Sequence, residues 1–343
     1  MRAQIAEHAS ESSATPHSKT LKKLLAFLVI VGLVCAGYMA YGLLRPMGGQ
    51  QKSVLLKPGS SARHIAQQLK AEGVIPSWPA FFALYYWKAK PMKAGEYLFD
   101  RPANALEVYG RLTRGDIYAH TVVIPEGDNI FEIAAAVEAA GLCSQQDFLT
   151  VARNPALIAD LDPEAKSLEG FLFPDTYEFT RTQSAHDMAA AMIHRFRQEA
   201  RKIGLTADVH RIVTMASIVE KETAASEERP LVASVYYNRL ARNMALDADP
   251  TVIYAALLGG RYRGAIYESD LTNRSPYNTY KFPGLPPGPI ANPGEASLAA
   301  AIHPAQSDYL YFVSDNNGHH RFAATMAEHE RNVAMYRRAA AGH

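Results

Sequence analysis

An uncharged apolar run near the N-terminus limits what this chain of 343 residues can be. Residues 24–44, LLAFLVIVGLVCAGYMAYGLL, contain no Asp, Glu, Lys or Arg. As a helix the run would span roughly 31 Å, about the thickness of a bilayer's hydrocarbon core. A cleavable signal peptide needs a shorter apolar stretch and small residues at its cleavage site, and AGYMA fits that poorly. We therefore expect a single-pass membrane anchor in residues 24–44, after a disordered tail in residues 1–23.

The charges that flank this run indicate its orientation. Basic residues lie on both sides, with Lys19, Lys22 and Lys23 before the run and Arg45, Lys52 and Lys57 after it. Because cytoplasmic flanks carry an excess of Lys and Arg, the distribution leans toward a cytoplasmic N-terminus.

Composition and motif searches argue against several classes of function. The net charge of +1 gives no field that would favour nucleic acid as a partner. The two cysteines, Cys35 and Cys143, form neither a disulfide framework nor a CxxC pair. The histidines between His303 and His329 match no zinc motif such as HExxH. We expect no metal and no cofactor.

The chain contains an internal repeat. Residues 53–75, SVLLKPGSSARHIAQQLKAEGVI, align with residues 121–143, TVVIPEGDNIFEIAAAVEAAGLC. Each copy predicts a strand, a glycine turn, an amphipathic helix and a glycine at the helix end. A common structural building block explains this pattern, and a LysM-like module that binds glycans is the more specific interpretation. We place a linker and this module in residues 45–119, a larger mixed α+β domain in residues 120–338 and a short tail in residues 339–343.

Several further elements are predicted in the larger domain. Residues 208–221 and 229–241 are expected to be helices, residues 171–179 a strand with a turn, and residues 309–314 a strand. Asn292 is expected to cap a further helix that has Pro293 at its first position.

Two glutamates end the helix that is predicted at 208–222. At 100° per residue, with Val209 at zero, Glu220 falls at about 20°, inside the apolar stripe. Glu222 falls at about −140°, outside that stripe, and is expected to face solvent. A carboxyl on a buried stripe is either paired with a cation or kept protonated by its surroundings. Helical phase alone leaves both a structural and a catalytic role open for Glu220, the latter as a general acid with a raised pKa.

Three further clusters carry polar side chains, and the one in residues 275–288 holds Tyr and Asn on a stiff loop, which suits the hydroxyls and apolar faces of sugars. Their members are Asp175 and Tyr177, Asp247 and Asp249, and Tyr277 and Asn278. Structural roles remain open for each cluster, with Asp249 as a helix cap and residues 275–288 as a loop that covers the core.

The chain resembles the MltG (YceG-like) family of endolytic lytic transglycosylases. The resemblance covers residues 20–338 and rests on motifs in a fixed order, among them LEGFLFPDTYEF (168–179), ASIVEKET (216–223), VASVYYNRL (232–240), DPTVIYA (249–255), SPYNTYKFPGLPPGPIANPG (275–294), SLAAAIHPAQSDYLYFVSD (297–315) and HRFAATMAEH (320–329). It implies a YceG-like catalytic domain in the periplasm, anchored in the inner membrane, with Glu220 as catalytic acid and base.

The resemblance also implies a substrate and a partner. The substrate is nascent peptidoglycan, whose glycan strands are cleaved between MurNAc and GlcNAc to leave 1,6-anhydroMurNAc ends and terminate elongation. A peptidoglycan synthase is the expected partner. We retain Asp175, Tyr177, Asp247, Asp249, Tyr277 and Asn278 as candidate substrate-binding residues.

The sequence departs from the family pattern in two places. Asp247 stands where the family usually has Gln, and Glu330 stands where it usually has Asn. Because Asp247 adds a second carboxylate, a hydrolytic muramidase stays open as an alternative. A non-catalytic scaffold that binds glycans, suggested by the repeat, is the third hypothesis.

Overall fold

The structure, a computed structural model, describes residues 16–341 and divides the chain into two compact units. The first unit ends at Tyr118 and the second begins at Ala119. Both units combine helices with short antiparallel strand pairs, so the predicted mixed α+β class is confirmed. The LysM-like character of the first unit stays a prediction.

The first unit contains a long helix and a small α+β core. Its elements are α1 (Pro16–Leu44), β1 (Lys52–Leu56), α2 (Ala62–Ala71), α3 (Trp78–Lys88), β2 (Gly95–Phe99) and α4 (Ala105–Arg114). Strands β1 and β2 are antiparallel, with Val54 opposite Tyr97. Tyr97, Phe81 and Leu112 are fully buried in the core that the helices form with this strand pair.

Helix α1 contains the predicted apolar run and begins before it. Among residues 16–341, it is the helix long and apolar enough to cross a membrane, over Thr20–Leu44 with a mean hydropathy of 2.3. The expectation of a disordered tail up to residue 23 is wrong for residues 16–23, because the helix begins at Pro16. Proline is favoured in the first helical turn, and the Lys and Leu residues after it are good helix formers. Residues 1–15 lie outside the described part of the chain.

The second unit contains the remaining elements. They are β3 (His120–Val123), α5 (Ile130–Ala139), α6 (Gln145–Ala152), β4 (Thr176–Phe179), α7 (Ala185–Lys202), α8 (Val209–Glu222), α9 (Arg229–Ala241), α10 (Asp249–Leu258), α11 (Glu268–Leu271), α12 (Glu295–Ile302), β5 (Tyr311–Ser314), β6 (His320–Ala323) and α13 (Met326–Ala341). Short 3₁₀ turns occupy Pro155–Ile158 and Ser226–Glu228. Strand β3 pairs with β4, and β5 pairs with β6, both antiparallel.

The two repeat copies have the predicted structure. Strands β1 and β3 are each followed by a glycine with positive φ, Gly59 at 80° and Gly127 at 83°, and then by helices α2 and α5. A glycine with φ of 70°, Gly73 or Gly141, follows each helix. Such φ values favour glycine, because a Cβ atom is strained there. The predicted order of strand, turn, helix and glycine is confirmed in both copies.

Helix α8 lies at the centre of the second unit. It contacts α9, α10 and α12, and every residue from Val213 to Val219 is buried. This middle part of α8 is therefore covered on several sides, whereas Arg211 and Lys221 nearer its ends are exposed. Its C-terminal end carries the two glutamates singled out above.

The loop before α12 differs from its prediction. Asn292 is fully buried and does not cap the helix, whose N-cap residue is Gly294. The Asn292 side chain instead accepts a hydrogen bond from the Leu172 amide at 2.8 Å and donates to the Asp128 carbonyl and the Glu169 carboxylate, each at 2.9 Å. These hydrogen bonds satisfy both ends of the buried amide and join the loop to two other segments.

Candidate active site

Three chain segments meet at the C-terminal end of α8. They are the helix end itself, the turn at residues 125–127 after β3, and the loop at residues 290–294 before α12. The Gly127 amide donates to the Asn292 carbonyl at 2.9 Å, and Lys221 Nζ donates to the Gly127 carbonyl at 3.0 Å. The Ile290 amide donates to Ser217 Oγ at 3.0 Å. Hydrogen bonds therefore fix both loops against the helix.

Glu220 is held by two donors at this junction. Its side chain is only 4% exposed. Oε1 accepts a hydrogen bond from Arg229 Nη2 at 2.8 Å, and Oε2 accepts one from the Gly294 amide at 2.9 Å. Pro230 in the first turn of α9 helps to start that helix at Arg229, which places the guanidinium beside the end of α8.

The surroundings of Glu220 shift its pKa in opposite directions. Burial raises the pKa of Glu220 above its ordinary value, because a charged carboxylate is poorly solvated there. The Gly294 amide and the positive charge of Arg229 lower the same pKa, and the net direction is upward. A raised pKa suits a carboxyl that must donate a proton and then take one back.

A second carboxylate shares the arginine. Glu126, in the turn after β3, lies with Oε2 3.3 Å from the same Arg229 Nη2 nitrogen. Its side chain is 49% exposed, whereas that of Arg229 is 7% exposed. The negative charge of Glu126 is one of the effects that raise the pKa of Glu220.

The prediction that Glu222 faces solvent is wrong. Its carboxylate lines a cavity of about 330 Å³ and accepts a hydrogen bond from the Tyr236 hydroxyl at 2.8 Å. Burial raises the pKa of Glu222 to about 7. Helical phase did not reveal this, because the partners of Glu222 come from other elements, Tyr236 from α9 and Asp249 from α10.

Asp247 and Asp249 line the same cavity as Glu222, together with Arg239 and Tyr280. Asp247 has a φ of 49° and lies 3.3 Å from Arg239 Nη1. Asp249 accepts a hydrogen bond from the Tyr280 hydroxyl at 2.8 Å and makes no side-chain cap on α10. The structure therefore groups these two predicted residues with a third carboxylate.

Asp175 and Tyr177 lie elsewhere, at the β3–β4 pair. Asp175 accepts a hydrogen bond from Arg195 Nε at 2.6 Å, which lowers the pKa of the carboxyl. Tyr177 is paired with Val122 and donates its hydroxyl to the Phe173 carbonyl at 2.6 Å. Both side chains are thus engaged in contacts that stabilise the fold, and neither lines the cavity of Glu222.

Tyr277 and Asn278 also have structural partners. The Tyr277 ring packs against Tyr254, with the ring centroids 5.1 Å apart. Asn278 is fully buried, and its amide nitrogen donates to the carbonyls of Leu271 and Asn273 at 3.0 and 2.7 Å. We do not retain Asn278 as a substrate contact, because its amide is used to hold this loop.

Sequence reasoning missed Glu126, Arg229, Tyr236 and Tyr280. The repeat contained one indication of Glu126. The first copy has Pro58 at the equivalent position, so the carboxylate is not part of the pattern that the two copies share. No signal linked Glu126 to Arg229, because 103 residues separate them along the chain. Within residues 16–341, no three or more His, Cys, Asp or Glu side chains are grouped so as to hold a metal ion.

Comparison with known proteins identifies the family. The pattern of the YceG-like family matches residues 54–335. The endolytic murein transglycosylase of Bacillus subtilis is 35% identical over 333 residues, which cover 89% of this chain and 91% of the relative. A protein of the same name from Streptococcus pneumoniae strain D39 is 33% identical over 358 residues, covering 91% of this chain and 65% of the relative.

A solved structure points the same way. The crystal structure of a putative YceG-like protein from Listeria monocytogenes is 33% identical, with a TM-score of 0.54. The match covers 83% of this chain and 99% of the Listeria chain. With the family pattern and these relatives together, the chain belongs to the YceG-like family.

Proposed function

We propose that this protein is an endolytic peptidoglycan lytic transglycosylase in which Glu220 is the catalytic acid and base. The observation that carries the proposal is the placement of Glu220, a nearly buried carboxyl that an arginine and a backbone amide hold at the junction of three segments. Relatives named endolytic murein transglycosylases, similar over most of this chain, support the same reaction class.

In the first step, Glu220 donates its proton to the glycosidic oxygen between MurNAc and GlcNAc. The bond from that oxygen to C1 of MurNAc breaks, and C1 develops oxocarbenium character. GlcNAc leaves with a free hydroxyl, and Glu220 becomes a carboxylate. The Gly294 amide and Arg229 stabilise this charged form, since both donate hydrogen bonds to it.

In the second step, the C6 hydroxyl of the same MurNAc attacks C1. Glu220 takes the hydroxyl proton and returns to its acid form, while the new bond closes a 1,6-anhydro ring. No water is consumed, so no second carboxylate is required to activate one. One residue serves both steps because burial and its two donors oppose each other in setting its pKa.

A hydrolytic muramidase is the second candidate. The cavity that holds Glu222, Asp247 and Asp249 favours it, because a carboxylate at such a site can activate water. The two reactions leave different ends on the glycan. Hydrolysis gives a reducing MurNAc end, whereas lytic cleavage gives an anhydroMurNAc end that is lighter by one water.

The test is mass spectrometry of the products that the full-length protein forms from purified, uncross-linked glycan strands. We expect anhydroMurNAc ends from the native protein and from Glu222→Gln, and no products from Glu220→Gln. Reducing ends from the native protein would favour the muramidase. Binding without cleavage would favour a scaffold.

The cellular placement is part of the proposal. We infer that α1 anchors the protein in the inner membrane with a cytoplasmic N-terminus, which puts the second unit in the periplasm with its substrate. The length and hydropathy of α1 support this placement. Alkaline phosphatase fused after the last residue should be active in intact cells, and an inactive fusion would contradict this topology. From the family resemblance we also expect a peptidoglycan synthase as partner, which co-purification of the full-length protein would test.

A further inference from the structure

The turn after β3 carries the carboxylate that shares Arg229 with Glu220. We propose that Glu126 is a positioning residue for the transglycosylase reaction. It shares the positive charge of Arg229 with Glu220, so that Glu220 stays protonated until it donates its proton. This inference rests on the proposed function of Glu220.

The contact between Glu126 and Arg229 is held in place by the surrounding backbone. The Gly127 amide and the Lys221 ammonium fix the turn against the loop and the helix. Gly294 leaves room for the Glu126 carboxylate, because a Cβ atom at residue 294 would overlap it. The position of Glu126 is therefore set by the fold, although its side chain is 49% exposed.

A single nitrogen serves both carboxylates. Arg229 Nη2 lies 2.8 Å from Glu220 and 3.3 Å from Glu126. If Glu220 had this buried cation to itself, the ion pair would favour the carboxylate and make the proton harder to hold. The charge of Glu126 offsets part of that attraction, in agreement with its upward effect on the pKa of Glu220.

Helix α8 and the segment around α12 also contribute groups near Glu220. Lys221 lies on α8 itself, and its ammonium is bound to the Gly127 carbonyl. From the described loop before α12 and from α12 itself, the Gly294 amide and the neutral Ser297 hydroxyl lower the pKa of Glu220. Arg229 and Glu126 are charged side chains from other elements that shift the pKa of Glu220, the first downward and the second upward.

The test compares Glu126→Gln with the native full-length protein on purified glycan strands across a range of pH. Glu220 must start protonated, so activity falls as pH rises through its pKa. Freeing Arg229 lowers that pKa, and a full cationic neighbour lowers a carboxyl pKa by roughly 1–3 units. We expect the alkaline limb of kcat/KM in Glu126→Gln to move down by about one pH unit. At a fixed pH on the alkaline limb, that shift lowers kcat/KM about tenfold, and native activity is regained at lower pH.

Two further variants distinguish a change in the pKa of Glu220 from a general structural effect of the substitution. Glu126→Asp keeps the charge but shortens the side chain, which moves the charge away from Arg229. The alkaline limb of its kcat/KM profile should therefore fall between those of the native protein and Glu126→Gln. Glu227→Gln removes the same charge from a side chain that is 66% exposed and should keep the native limb. A loss of the same factor at every pH in Glu126→Gln, or a limb unchanged from native, would overturn the proposal.

A readout without turnover separates this inference from the proposed function. The carboxyl ¹³C resonance of Glu220, identified by its absence in Glu220→Gln, should titrate about one unit lower in Glu126→Gln than in the native protein. An unshifted titration refutes the pairing even if Glu220 is the catalytic acid. A shifted titration with full activity in Glu220→Gln would support the pairing and refute the catalytic assignment.

Discussion

Replacing Arg229 by methionine tests the electrostatics of the site directly. The change leaves Glu220, 4% exposed, without its cation, while the unbranched side chain keeps much of the packing. Breaking a buried ion pair by removing one partner costs about 3–5 kcal/mol. That cost falls when the remaining carboxyl can be protonated, so we expect it to be large at pH 8 and small at pH 5.

The direction of this pH dependence follows from the linkage between proton binding and folding. Without Arg229, the pKa of Glu220 in the folded state rises further above that of the unfolded chain. The folded state then binds more protons, and stability is lost as pH rises between the two values. At about 1.4 kcal/mol per pH unit, a cost of about 4 kcal/mol builds up over about three units.

Thermal unfolding of the full-length protein in detergent measures the effect. Each kcal/mol lowers Tm by about 2–4 °C for a domain of this size, so Arg229→Met should melt about 10 °C below native at pH 8. Arg229→Met/Glu220→Gln should recover most of that loss, because neither buried charge of the pair remains. Arg211→Met, at an exposed arginine on α8, should show little dependence on pH. Equal losses at pH 5 and pH 8, or no recovery in the double variant, would refute the reasoning.

Two further predictions concern the neighbouring carboxylates. Glu222 has a raised pKa of about 7 against an ordinary value of 4.5, so its stabilising contribution is complete below pH 4.5 and is lost as pH rises to 7. Glu222→Gln should therefore be more stable than native at pH 8 by about 3 kcal/mol, with little difference near pH 5; equal urea midpoints at pH 8 would contradict this. Gly294→Ala should displace Glu126 without unfolding, since φ at residue 294 is −77° and suits alanine, and should lower kcat/KM by up to about tenfold on the alkaline limb. Gly288→Ala, where the nearest atom is the Tyr277 hydroxyl at 3.4 Å, should keep native activity, and equal activity of the two alanine variants would remove the steric argument.

Local patterns predicted the elements well. The repeat led to β1, α2, β3 and α5, because a strand, a glycine with positive φ and an amphipathic helix are each specified within a few residues. The helix predicted at 229–241 has those bounds in the structure. Such features depend on backbone preferences and hydrophobic period, which a single sequence displays.

Contacts between distant segments were not predictable in the same way. Glu222 was expected to face solvent because an amphipathic helix has one buried face, whereas the unbroken burial from Val213 to Val219 shows that α8 is covered on several sides. Asn292 is a residue type that often caps helices, but its side chain forms hydrogen bonds with the buried residues Leu172 and Glu169 instead. Both errors arose because tertiary partners override local preference.

The role of Glu220 is the central claim, and it is tested most directly by product analysis of two matched variants. Glu220→Gln and Glu222→Gln make the same chemical change two residues apart on one helix. We expect that glycan strands treated with Glu220→Gln yield no anhydroMurNAc ends above background, a fall of at least about 10²-fold, while Glu222→Gln yields them at a rate near native. AnhydroMurNAc formation by Glu220→Gln at the native rate, or its loss only in Glu222→Gln, would contradict the assignment of the proton donor.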